Sequence, residues 1–305
     1  MIVNKTNMGA VFLNIKTEFN KALATTPVQW SKTAMKVQFN TAENQYKWLS
    51  MFPSMQKWVG DKATKKLKAF TYSIVNEKWE ATIELDKFDL MNDNMGLIAP
   101  QARNTGMTAA EWPDNMLATL KNGAFATTCF DGQYFYDTDH PVGTQTITTM
   151  SNKGTAALSN ATWAAVTASL GVARIYFLNM YNDEGQKTPI MGPYILEVPP
   201  ALEAMANNIY LNDKLADDSP NPYKSMFQPL INPRLTSSTQ WMVHAQSMAL
   251  KPFIFQENMR PTFVKQDSFE NDDFFQRGII KYGLEAYGNA GYGLWQLSYG
   301  STGAA

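Results

Sequence analysis

The chain carries a single thiol, Cys129, and His140 follows it eleven positions on, with Asp131, Asp137 and Asp139 between them. A thiolate paired with an imidazole, with a third group orienting the ring, is what nucleophilic catalysis uses. The residue types are present, but their spacing matches no local catalytic signature, and such signatures are family-specific. A buried cysteine beside a structural histidine accounts for the same residues. The three aspartates are hard oxygen donors, yet the alternate-position aspartates, glycine and distal glutamate of a calcium loop are missing. His140 and His244 are the only histidines, which excludes a three-histidine zinc centre. One cysteine excludes an intrachain disulfide framework and a cysteine-based zinc site. No Walker-type glycine loop occurs, and the glycine-rich stretch from Gly288 to Gly293 has no βαβ unit after it. The residues thus assign no catalytic, cofactor-binding or metal position.

The elements around this loop are clearer than its chemistry. Met8, Val11, Phe12, Ile15, Phe19 and Leu23 recur at helical spacing, and Thr25-Thr26-Pro27 ends the pattern. Such a helix either docks on its own core or reaches a neighbouring subunit as an arm. Aromatics and turn residues alternate over 46–61, and Lys57, Lys62, Lys65, Lys66 and Lys68 then cluster on what reads as a solvated face. Phe70, Tyr72 and Ile74 alternate with polar residues, as do Trp79, Ala81, Ile83 and Leu85. Joined by Asn76-Glu77-Lys78, the two runs predict a two-stranded hairpin. Residues 90–124 read as helical, with Pro113 expected to kink or divide the helix. The Thr/Ser-rich segment from Thr144 to Asn160 suits a linker or irregular strands. Trp163, Val166, Leu170, Ala173 and Phe177 mark the clearest helix, capped by Asn160 or Thr162. Tyr194 to Val198 reads as a strand, and Pro199-Pro200 opens another helix. Residues 212–234 read as a long loop, with strands expected at 240–255, 277–287 and 291–299.

Composition narrows the class. Of 305 residues, 45% are hydrophobic and only 17% charged, which points to much apolar surface buried, some of it between subunits. A net charge of −1 argues against an electrostatic nucleic-acid binder. No stretch is apolar enough for a membrane helix, and the short run from Met8 to Leu13 is no signal peptide. Synthesis in the cytoplasm is the simple expectation.

Several blocks together resemble the major head subunits of Mu-like phages and prophages, the T-protein family. They are Cys129-Phe130-Asp131-Gly132-Gln133 with Asp137-Thr138-Asp139-His140-Pro141-Val142-Gly143, and Tyr46-Lys47-Trp48-Leu49 leading to Phe52-Pro53-Ser54-Met55, Trp58 and Gly60-Asp61. Val198-Pro199-Pro200-Ala201-Leu202-Glu203 and Asn289-Ala290-Gly291-Tyr292-Gly293-Leu294-Trp295-Gln296-Leu297 complete the set. Each block alone is weak, but they run in the family's order across nearly the whole chain.

The resemblance implies an α+β chain with the Hong Kong 97-type capsid fold. Its parts would be an N-arm (1–45), an extended-loop hairpin with its base (46–89), a peripheral domain with a long spine helix (90–155), an axial domain (156–244) and a return to the peripheral domain (245–305). It further implies a structural subunit, not an enzyme, that self-assembles into hexamers and pentamers of an icosahedral shell around double-stranded DNA, without sequence-specific binding or a membrane. Separate scaffold and portal proteins, with decoration proteins where present, would be its partners. The chain begins almost directly with the arm, which suggests a separate scaffold. It would be made in the host bacterial cytoplasm and end in the virion. The residues expected to meet neighbours are Val11, Phe12, Ile15, Phe19 and Leu23 on the arm, with Trp79, Ile83 and Leu85 on the hairpin. Burial is worth about 1.5–3 kcal/mol for each large apolar side chain, offset by ordering. Two rivals stand beside this reading: an encapsulin-like compartment enclosing cargo enzymes, and a hydrolase using Cys129 and His140.

Overall fold

The computed structural model describes residues 5–38, 41, 43–46, 72–88, 96, 98–142, 149–182, 186–266 and 271–304. The lysine cluster, Phe70 and the aromatic stretch beyond Tyr46 lie outside them.

Helix α1 (Lys5–Thr25) forms where the periodicity predicts it. Its stripe of Val11, Phe12, Ile15, Phe19 and Ala22 is buried against the long helix α3 (Ile98–Gly123). The two approach closely because α3 presents small residues: a Cβ added at Gly106 would stand 2.5 Å from the Phe19 carbonyl oxygen. Arg103 and Glu18 pair at 2.7 Å along the rim of this contact. Helix α3 is not divided at Pro113. Proline in a helix interior costs roughly 3 kcal/mol, and packing along α1 and the sheet outweighs it.

A short helix, α2 (Trp30–Thr33), leads into β1 (Ala34–Gln38), the edge of a four-stranded sheet ordered β1-β11-β12-β4. Its centre is a long antiparallel pair, β11 (Phe253–Gln266) and β12 (Ile279–Tyr292). The predicted hairpin is corrected here. Strand β4 (Glu77–Asp86) pairs over its whole length with β12, from Glu77 opposite Gly288 to Asp86 opposite Ile279. Strand β3 (Ser73–Val75) instead pairs with β2 (Glu43–Gln45). Asn76 makes the break between the two ladders. It is buried, donates to the Thr41 carbonyl at 2.9 Å and accepts from Gln256 Nε2 at 2.6 Å. It therefore fixes the chain where the sequence suggests an exposed turn.

The loop after α3 enters two-residue strands, β5 (His140–Pro141), β6 (Thr149–Met150) and β7 (Lys153–Gly154). Strand β7 edges a five-stranded sheet ordered β7-β13-β10-β8-β9. Its interior strands β8 (Tyr194–Val198) and β10 (Trp241–Ala245) are buried at every residue. Strand β9 (Phe227–Ile231) lies within the segment read as loop. Pro229 disguises it, and proline is tolerated because β9 is an edge strand. Strand β13 (Ser298–Ser301) closes the chain.

Helix α4 (Trp163–Val166) is capped by Thr162, whose side chain accepts from Ala165 N. A π turn over Thr167–Gly171 joins it to α5 (Val172–Leu178), so the expected single helix carries an extra residue midway. Val166, Leu170, Ala173 and Phe177 nevertheless face inward, and Phe177 stacks on Tyr194. Pro200–Leu202 forms a 3-10 turn into α6 (Glu203–Leu211). Helix α7 (Asp272–Arg277) caps the far end of the β11–β12 pair. One continuous apolar cluster joins both sheets, and a smaller one lies under α1.

Candidate functional site

The most concentrated charge in the interior is centred on Glu197, in the otherwise apolar run Tyr194–Val198. Lys121 of α3 donates to both its oxygens, at 2.9 and 2.8 Å. Asn232 Nδ2 donates at 2.6 Å, and His244 Nε2 stands 3.0 Å away. Lys121 also reaches Thr33 Oγ1 at 3.0 Å. Burial opposes ionisation of Glu197, but the charge of Lys121 and the His244 hydrogen bond hold it well below the usual carboxylate range. Burial pushes His244 below its ordinary value, against the pull of Glu197. The neutral ring donates through Nε2 and accepts from Ser298 Oγ at Nδ1, 2.9 Å away. Only a small cavity of about 10 Å³, bordered by Lys121, Glu197 and Asn232, lies beside it, and these bonds lock α3 to the five-stranded sheet. The pattern analysis passed over Glu197; a lone carboxylate inside an all-apolar strand was the available signal.

The Cys129–His140 loop does bring its polar residues together. Cys129 Sγ lies 3.0 Å from Asp131 Oδ1, and His140 Nδ1 lies 2.7 Å from Asp131 Oδ2. The ring stacks on Trp295 with centroids 4.0 Å apart. Burial pushes the Cys129 thiol up, and the neighbouring Asp131 charge adds to it. A thiol held protonated in this way is no nucleophile. For Asp131 burial also opposes ionisation, but the His140 hydrogen bond and charge hold its carboxyl down. Asp137 is used differently, accepting from the backbone N–H groups of Tyr134 and Thr138.

Two open grooves could meet other chains. The outward residues of β4 border a groove of about 490 Å³ between that strand and α3, walled by Trp79, Ala81, Ile83, Trp112 and Met116. A second groove, about 670 Å³, lies against α1 and is walled by Leu23, Trp30 and Phe263. Trp112 borders both, and its indole N–H is buried without an acceptor among the described residues. Of the eight residues expected at interfaces, Val11, Phe12, Ile15 and Phe19 are covered by the chain itself, 1–3% exposed. Leu23 is half-buried at the second groove. Ile83 and Leu85 pack partly onto the cluster under α1, and Trp79 is 37% exposed. Sequence reasoning overlooked Phe275 (85% exposed), Leu211 (63%) and Phe88 (59%).

A long helix lying on a sheet with an extended β pair, and a second mixed sheet with its own helices, define the Hong Kong 97-type fold of capsid shell subunits. The particular family follows from sequence. The chain belongs to the Mu-like prophage major head subunit gpT family, whose profile matches residues 8–170 and 230–304. It is 27% identical over 294 residues to the Mu-like prophage FluMu major head subunit of Haemophilus influenzae, covering 96% of this chain and 72% of that one. It is 27% identical over 298 residues to the major capsid protein of Escherichia phage Mu, covering 98% and 74%. Against the procapsid of bacteriophage JBD30 the TM-score is 0.62 at 25% identity, covering 98% of this chain and 76% of that one. A virus-like particle from Pyrococcus furiosus shares the fold alone, with a TM-score of 0.57 at 10% identity, covering 95% and 98%. The protein is a major capsid subunit, a structural component of the phage head and not an enzyme. The family match decides for a phage shell over a cargo-enclosing compartment or a hydrolase. Among the described residues no helix is long and apolar enough to cross a membrane.

Proposed function

We propose that the chain assembles into hexamers and pentamers of an icosahedral shell that encloses double-stranded DNA through non-specific contacts. Residues 1–45 serve as the N-arm, 46–89 as the extended loop and its base, 90–155 and 245–305 as the peripheral domain, and 156–244 as the axial domain. The observation that carries this reading is the open apolar groove beside Trp79 and Trp112. A buried unpaired N–H costs about 1–3 kcal/mol, and a neighbour's backbone carbonyl seated there would supply the acceptor Trp112 lacks. Because α1 commits Val11, Phe12, Ile15 and Phe19 to its own helix α3, their part in assembly is to hold the arm in place. The neighbour then meets Leu23, Trp79, Ile83 and Leu85.

Scaffold and portal proteins are the expected partners inside the head, after synthesis in the host bacterial cytoplasm. A decoration partner is favoured by the bacteriophage JBD30 capsid, described as decorated with minor capsid protein trimers. Negative-stain microscopy and sedimentation of the purified chain, with and without its cognate scaffold, test the proposal. Closed shells or isolated hexamers support it. A compact monomer under every condition overturns it.

A further inference from the structure

We propose that Cys129, Asp131 and His140 form a mononuclear site for a zinc-type divalent cation that fastens the two ends of the loop after α3 to each other. Asn152 orients the His140 ring. Its Nδ2 donates to the Phe135 carbonyl at 2.8 Å, and its Oδ1 accepts from Asp137 N at 2.9 Å. The same Oδ1 faces His140 Nε2 at 3.2 Å, so that ring nitrogen carries the N–H. His140 Nδ1 points at Asp131 Oδ2 from 2.7 Å. In the metal-free chain a proton bridges this contact, and the metal ion takes the place of that proton.

Cys129 supplies the third donor. Its sulfur lies 3.0 Å from the other oxygen of the same carboxylate. One donor atom each from Cys129, Asp131 and His140 lies within 4.8 Å of the others. Sulfur, imidazole nitrogen and carboxylate oxygen are ligands zinc takes, and a thiolate favours it over calcium or magnesium. Metal-bound thiols are deprotonated outright, so a thiolate and a carboxylate balance a divalent ion and leave the buried site neutral. The ring is already aimed: Asn152 holds its far nitrogen, and Trp295 stacks on its face within 11° of parallel. Such outer partners are the usual companions of a metal-bound histidine. Donors around a tetrahedral zinc stand on the order of 3.3–3.7 Å apart, given bond lengths of 2.0–2.3 Å. The 2.7 and 3.0 Å contacts must therefore open by up to about 1 Å to admit the ion. One cysteine excluded only sites built from several, and this one is mixed.

The test uses the full chain loaded with zinc or cobalt(II) and then desalted. The expected result is about one ion per chain, a sulfur-to-cobalt charge-transfer band in the near ultraviolet, and a thermal midpoint raised by zinc and lowered by a chelator. Cys129→Ser should abolish the band, and Asn152→Ala should weaken affinity about 10–100-fold. The proposal is overturned if the wild-type chain retains no stoichiometric metal and its midpoint ignores zinc and chelator. It is equally overturned if cobalt binds without the sulfur band, a result readable on wild type even where Cys129→Ser fails to fold.

Discussion

Lys121 Nζ stands 2.9 and 2.8 Å from the two carboxylate oxygens of Glu197, in an ion pair closed to solvent. It ties the long helix to an interior strand of the five-stranded sheet. Breaking one side of such a pair strands a buried charge, whereas removing both leaves none.

Lys121→Met should therefore destabilise the subunit by about 3–5 kcal/mol. Lys121→Met with Glu197→Leu should recover a large part of that loss. Urea unfolding of wild type, both single variants and the double variant checks this. A double-variant loss equal to the sum of the two single losses would mean that the pair adds no coupling.

Much of this architecture was legible in residue patterns. Helical periodicity placed α1 and the α4–α5 helix, because each buries one stripe, and proline chemistry placed the first turn at Pro200. The alternating run at Trp79–Leu85 correctly announced a strand. Its partner was not legible, because alternation reports which face is buried and says nothing about which strand lies alongside. Asn76 looked like a turn residue and is instead a buried anchor between two ladders. Its bonds to Thr41 and Gln256 span 35 and 180 positions, distances that no local pattern reaches. Lys121, His244 and Glu197 come together by the same kind of long-range meeting.

Acid should weaken the subunit in two stages. Burial sets His244 below its ordinary value in the fold, while the unfolded chain protonates it near about 6.5. Above that pH the ring is neutral in both states. Below it the unfolded chain takes a proton the fold refuses, and stability falls. Glu197 adds a second loss below about 4.3, where the unfolded carboxyl protonates and the folded one does not. Urea midpoints between pH 7.5 and 5 should slope less in His244→Gln than in wild type. An unchanged slope would remove His244 as the cause of the first stage.

Two glycines should respond in opposite directions. At Gly106 a new Cβ would lie 2.5 Å from the Phe19 carbonyl oxygen and 2.9 Å from Ala22 Cβ, so α1 must move away from α3. Gly106→Val should cost about 1–3 kcal/mol by overpacking and expose the arm to protease near Thr25–Pro27. Gly9 lies in α1 with nothing within 4 Å of its added Cβ. Gly9→Ala should stabilise the helix by about 0.5–1 kcal/mol. Protease half-lives and thermal midpoints of both variants read out the difference, and a tolerated Gly106→Val would show that the two helices do not need their close contact.

Phe275 separates assembly from folding. Its ring is 85% exposed on α7, at the far end of the β11–β12 pair. Phe88 is also exposed, and the Lys87 ammonium lies 4.9 Å from the Phe88 ring centroid and 5.9 Å from that of Phe274. A phenyl ring so exposed contributes almost nothing to its own subunit. Phe275→Ser should leave the urea midpoint of the isolated chain within about 0.5 kcal/mol of wild type, as for surface substitutions generally. If the tip docks on a neighbour, each contact loses about 1.5–3 kcal/mol of burial. Since 1.4 kcal/mol is a tenfold change in an equilibrium constant, the concentration needed for assembly should rise about tenfold or more. Light scattering against concentration, with microscopy of the products, measures both effects on one preparation. Normal shells at the wild-type threshold would mean that this tip faces solvent in the head, and that the groove beside Trp79 carries the contact alone.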